Sequence, residues 1–212
     1  MKQNTLKKFW ERFWFILWKD QSAKGWILSL IIIFVFIKFI FFPGLSLITG
    51  TTLPLAIVES CSMYHADNML SSLDNWWPNQ EKKYSDFQIV KEEFNKFRLK
   101  RGFTKGDILF IKGIKPEKVK IGDTIIFNAG RQNPIIHRVV NINLDEQTNK
   151  RTFSTIGDNN PGQLDVEKQI SEDQIIGKAV FRLVPYAGWV KLIFYESQRS
   201  EYEKGFCRPK EN

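Results

Sequence analysis

The run from Trp26 to Ile48 constrains this chain more than any other stretch. From Trp26 to Phe42 the only charge is Lys38, and Leu45, Leu47 and Ile48 follow. A membrane-spanning helix needs roughly 20 mostly apolar residues, and residues 26–48 supply them. The run is apolar on every side, which suits lipid better than the one buried face of a core helix. The expectation is a transmembrane helix over residues 25–48. Lys38 would snorkel towards an interface, and Pro43-Gly44 would kink or end the helix. A cleaved signal peptide fits less well, because the run is long and no Ala-x-Ala-like site follows it.

The net charge of +8 decides what surrounds that helix. Up to Lys24 there are six basic residues, Lys2, Lys7, Lys8, Arg12, Lys19 and Lys24, against two acids, Glu11 and Asp20. Charge gathered beside an apolar run reads as a topology signal, not a nucleic-acid surface. No nucleic-acid partner is expected; a membrane-anchored nucleic-acid binder would show binding that collapses with salt. The N-terminus should stay in the cytoplasm, with the chain after about residue 50 on the outer face or in the reticulum lumen. Within residues 1–24, Phe9, Trp10, Phe13, Trp14, Leu17 and Trp18 recur at helical spacing among basic residues. That pattern predicts an amphipathic helix lying in the lipid headgroups.

Residues 49–195 read as a mainly β domain outside the membrane, with a small α-helical insert at 66–104 and a polar tail at 196–212. Thr51–Val58 reads as a short link. Short apolar runs between Gly, Asp, Asn and Pro punctuation predict strands at 108–111, 124–127, 135–143, 151–156 and 174–184, with a bulge or bend at Gly177. Inside the insert, Trp76-Trp77 suits either the membrane interface or a cap over a core. Ser85-x-x-Gln88, followed by Phe87, Val90, Phe94 and Phe97, predicts a helix that stops at Gly102. Only two cysteines occur, Cys61 and Cys207, too few for a disulfide framework.

Ser62, in Ser60-Cys61-Ser62-Met63, is a nucleophile only if a base takes its proton. The chain has two histidines, His65 and His137. His137 lies in the strand-like run Pro134–Val140, whereas His65 would need a hairpin-like fold to reach Ser62. Asp158 and Asp165 follow, and Ser-His-Asp chemistry is free in chain order. Asp158 could equally be a simple turn residue. Cys61 as nucleophile is disfavoured, since adjacent extended side chains point to opposite faces. His65, Asp67 and His137 lack metal-ligand spacing, and no metal or cofactor is expected.

Together these stretches resemble type I signal peptidase, more narrowly the branch of archaea and the endoplasmic reticulum. Ser60-Cys61-Ser62-Met63 is similar to the family's Ser-Gly-Ser-Met box. Lys105-Gly106-Asp107 and Gly122-Asp123 resemble its two Gly-Asp strand starts. Ile136-His137-Arg138-Val139 and Gly157-Asp158-Asn159-Asn160 resemble two further boxes, and Gly177-x-Ala179 with Pro185-Tyr186-x-Gly188 the closing segment. The resemblance implies a membrane-bound serine endopeptidase that removes signal peptides from pre-proteins after small residues. It implies Ser62 as nucleophile, His137 as general base and Ser60 as an oxyanion donor. Asp158 and Asp165 map to its functional aspartates, with Asp165 preferred as the one that orients His137. The sequence departs from the family at Cys61, at His65 and in the insert. The alternative is a noncatalytic membrane-tethered β domain serving as a scaffold, which would be expected to lose Ser62 or His137.

Overall fold

A computed structural model describes residues 2–66 and 73–209, without the side chains of residues 2–6 and Tyr202. The chain forms two compact units, residues 1–48 and 49–212.

In the first unit, Lys2–Trp18 is helical and carries Phe9, Trp10, Trp14 and Trp18 exposed. Asp20 accepts the Ser22 N–H, and Ser22 caps the next helix by accepting from Gly25 N at 3.0 Å. That helix runs unbroken over Ala23–Thr49, long and apolar enough to cross a membrane, and it is almost bare of protein contact. Pro43 does not end it. Proline has no N–H to give to the preceding turn, and the backbone absorbs this by widening to π geometry over Ile37–Phe41, just ahead of it.

The second unit is one antiparallel sheet of seven strands among the described residues. β1 is Leu55–Ile57, β2 Ile108–Lys112, β3 Thr124–Phe127 and β4 Ile135–Asp145; β5 is Lys150–Ile156, β6 Ile170–Ser171 and β7 Ile175–Val184. Their order across the sheet is β1-β2-β7-β3-β4-β5-β6. The domain is thus mainly β, as expected. The bulge or bend expected at Gly177 is a bulge: Ile126 faces Gly177 while Phe127 faces Ile175, so Ile176 is the extra residue. β1 falls where a link was expected. Its alternation puts Ala56 in the core with Leu109, Ile111, Ile126 and Ala179.

The helix expected after Ser85 does not form. Gln88 takes a left-handed backbone with φ 60°, which ends the turn Glu81–Ser85, and helix returns only over Lys91–Phe94. What holds the insert is a cluster of rings. Trp76, Trp77, Tyr84 and Phe94 pack on Val140 and Ile156 of the sheet. The two indoles are buried, so they cap a core and do not face lipid.

Candidate active site

Ser62 sits in a tight turn, closed by Tyr64 N–H donating to the Cys61 carbonyl at 3.1 Å. The Gly157–Asn160 turn clamps it from one side. Asn159 N–H donates to the Ser62 carbonyl at 2.7 Å, and the Asn159 amide to the Cys61 carbonyl at 3.0 Å. Gly157 permits this approach, because a Cβ there would lie 2.9 Å from the Ser62 carbonyl oxygen. On the other side Gly102, at φ +65°, leaves room for the Met63 carbonyl, which accepts from Phe103 N–H at 3.0 Å. The Ser62 hydroxyl lies 3.0 Å from that of Ser60.

His137 is on β4, opposite Ile125 of β3, and is buried. Its Nδ1 pairs with Oε1 of Glu167. Glu167 is fully buried and fixed twice more. Oε1 accepts from Thr155 Oγ1 at 3.0 Å, and Oε2 from Leu164 N–H at 2.8 Å. A carboxylate on Nδ1 keeps the ring proton there, which leaves Nε2 as the acceptor nitrogen.

Arg138 follows His137 and so projects from the opposite face of the strand. It is also fully buried. Asp158 takes Arg138 Nη2 at 2.6 Å and Nε at 2.9 Å, the Tyr84 hydroxyl at 2.7 Å and His65 Nε2 at 2.8 Å. His65 stacks on Trp76, their ring centroids 3.7 Å apart. The structure therefore separates residues that the sequence grouped. Asp158 and His65 belong to a buried ion cluster beneath the insert. Asp165, preferred as the partner of His137, lies at the surface and pairs with Lys168 at 2.7 Å. The carboxylate on His137 is that of Glu167, two residues further on. The signal for it was a second acid in Asp165-Val166-Glu167; what hid it was that the short 3-10 turn Asp165–Glu167 turns the second acid inward, not the first.

Burial alone would raise the Asp158 carboxyl, but the Arg138 charge and the bond from His65 hold it far below its ordinary 3.8. Burial pushes His65 below its ordinary 6.5, outweighing the pull of Asp158, and the charges of Arg138 and Lys83 act in the same direction as burial. Between its folded and unfolded pKa values, His65 binds more proton in the unfolded chain, so its contribution to stability is complete above about pH 6.5 and falls as the pH drops below it. The Asp158 contribution is lost only below its ordinary 3.8. The urea midpoint of the detergent-solubilised chain should thus decline between about pH 7 and 5, and His65→Gln should flatten that decline. Asp158→Ala strands a buried guanidinium, and should cost about 3–5 kcal/mol of unfolding free energy in the same titration.

Ser60, Ser62 and His137 line one cleft of about 630 Å³, together with β1, Pro134–Ile136 and Phe103. β1 and β4 are four places apart in the strand order, so the sheet must curl to set them across one cleft. Asp67 lies outside the described residues, and among those described no three His, Cys, Asp or Glu side chains form a metal cluster.

A serine turn and a carboxylate-braced imidazole line one cleft, and these are the residue types on which serine endopeptidases rely. No family model matches the chain. It is 27% identical over 167 residues to the signal peptidase complex catalytic subunit SEC11 of Lachancea thermotolerans, covering 76% of this chain and 77% of that protein. With the SEC11 of Zygosaccharomyces rouxii it shares 28% over the same length and with the same coverage. With SEC11C of Homo sapiens it shares 29% over 110 residues, which span 47% of this chain and 54% of that protein. The chain is thus similar, at 27–29% identity, to catalytic subunits of the signal peptidase complex.

Proposed function

We propose that this chain removes N-terminal signal peptides from pre-proteins at a membrane surface, with Ser62 as nucleophile, His137 as general base and Glu167 as the residue that orients His137. The observation that carries the reading is the cleft shared by Ser62 and His137, with His137 held through Nδ1 by a buried carboxylate. Nε2 takes the Ser62 proton and Ser62 Oγ attacks the scissile carbonyl. The proton then passes to the leaving amine, and water releases the acyl group by the same base. The Ser62 N–H and the Ser60 hydroxyl are the donors for the developing oxyanion, each such donor being worth roughly 2.7–4 kcal/mol where it has been removed from other enzymes.

β1 pairs with β2 on one side and borders the cleft on the other. An extended substrate would add to its outer edge as a further strand. Ala56, Val58 and Ile136 are apolar cleft residues, and the small residues before the cut would seat against them. Asp158 acts at one remove, by holding the turn that clamps Ser62.

The anchor helix supplies a single pass, and the basic flank at residues 2–24 favours a cytoplasmic N-terminus. A Cys61–Cys207 disulfide supports the outer domain being in an oxidising compartment. The relatives' names describe subunits of a complex, and partner subunits are part of this reading. The deciding experiment is cleavage of a signal-bearing precursor in detergent by the native chain and by Ser62→Ala. Equal processing by the two would end the protease reading.

A further inference from the structure

Cys61, the residue before Ser62, is joined to Cys207 across 146 positions, their Cα atoms 5.5 Å apart. The two cysteines too few for a framework thus make one bridge, and it lands on the serine turn. The segment 196–207 that it tethers runs beside the cleft, which Arg199 and Glu203 help to line. Arg199 donates through Nη2 to the Glu59 carboxylate and through Nη1 to the Glu59 carbonyl, each at 3.0 Å. The buried Lys105 pairs with Glu196 and donates to the Glu203 carbonyl at 2.7 Å. Phe206 packs on Trp189 with centroids 4.6 Å apart.

Glu59 and Cys61 flank Ser60, Cys61 immediately precedes Ser62, and both are fastened to this one segment. The opposite side of the turn is held by Asn159. Among the described residues, Arg199 Nε and Glu196 Oε2 are buried without a hydrogen-bond partner. The covalent link adds a direct tie between this segment and the residue before Ser62.

We propose that Cys61 and Cys207 are positioning residues: their disulfide straps segment 196–207 against the serine turn and sets where the Ser62 hydroxyl stands relative to His137. This rests on Ser62 being the nucleophile. The bridged chain is the competent form. Breaking the bond takes two electrons and two protons, supplied by a dithiol that leaves as its own disulfide. It frees the turn on the strap side, while the Asn159 clamp remains.

The test is precursor cleavage by the full chain in detergent, before and after dithiothreitol, alongside Cys61→Ala/Cys207→Ala. A misplacement of about 1 Å can cost on the order of 100-fold in rate. The expected result is a fall in kcat of about 10-fold to 100-fold with KM nearly unchanged, alike in the reduced and doubly substituted chains and reversed on re-oxidation, with the near-ultraviolet circular dichroism kept. Unchanged kcat in a chain whose two thiols titrate as free would overturn it. So would a rise in KM alone, which makes the strap a binding wall only, or a loss of activity together with the near-ultraviolet signal, which makes the bridge a stabiliser. An oxidised native chain that cleaves nothing would instead remove the protease reading on which the proposal stands.

Discussion

Ser62→Ala should fold as the native chain does and lose about 10⁶-fold in kcat, the size seen when the nucleophile of a serine endopeptidase is removed. Two neighbours are the obvious substitutes, and neither serves. Cys61 has its sulfur committed to Cys207 and offers no thiolate. Ser60 has a hydroxyl 3.0 Å from that of Ser62, but attack from there requires His137 to reach past the vacated position. What remains is the contribution of binding and oxyanion donors, roughly 10³–10⁴-fold over water in such variants. Single-turnover cleavage of a signal-bearing precursor, with intact mass of the enzyme to detect an acyl adduct, measures both. A Ser62→Ala chain that still cleaved at a tenth of the native rate would move the nucleophile elsewhere.

Glu167→Gln is the second large effect, an expected loss of about 10⁴-fold in kcat with little change in fold. The reason lies in the three groups around the carboxylate. Leu164 N–H is a fixed donor on Oε2, so the amide of a glutamine must turn its oxygen that way. Its NH₂ then faces His137 Nδ1 and donates to it. That moves the imidazole proton to Nε2, where Ser62 needs an acceptor. Thr155 can rotate its hydroxyl to suit either side group. Asp165→Ala should cleave within about twofold of native, because a surface pair with Lys168 contributes little. The pair of variants separates the two acids in one assay. Loss in Asp165→Ala with Glu167→Gln active would reverse the assignment. A pH–rate profile adds a readout that mere destabilisation would not shift.

Some of the fold was legible because it rests on local chemistry. The bare helix at Ala23–Thr49 follows from an apolar run with no polar face. Five strands follow from alternation between turn residues, and the Gly177 bulge from a residue that alone tolerates the Lys112 carbonyl at 2.7 Å from a Cβ. β1 was hidden because an edge strand of three residues carries too little pattern to tell from a link. The helix expected after Ser85 fails for the converse reason. Its periodicity was real, but Gln88 takes a left-handed backbone that breaks the helix, and Phe87, Phe94 and Phe97 join the ring cluster from separate short turns.

The sequence by itself determined the anchor and five of the seven strands described, since these follow from residue type and near neighbours, and it offered Ser62 and His137 as candidates. Only the tertiary structure decided which acid meets His137, that Asp158 belongs to Arg138, and that Cys61 meets Cys207. Those contacts join residues 20 to 146 positions apart. Spacing along a chain says nothing of such distances until the sheet has curled and the turns have set each side chain's direction.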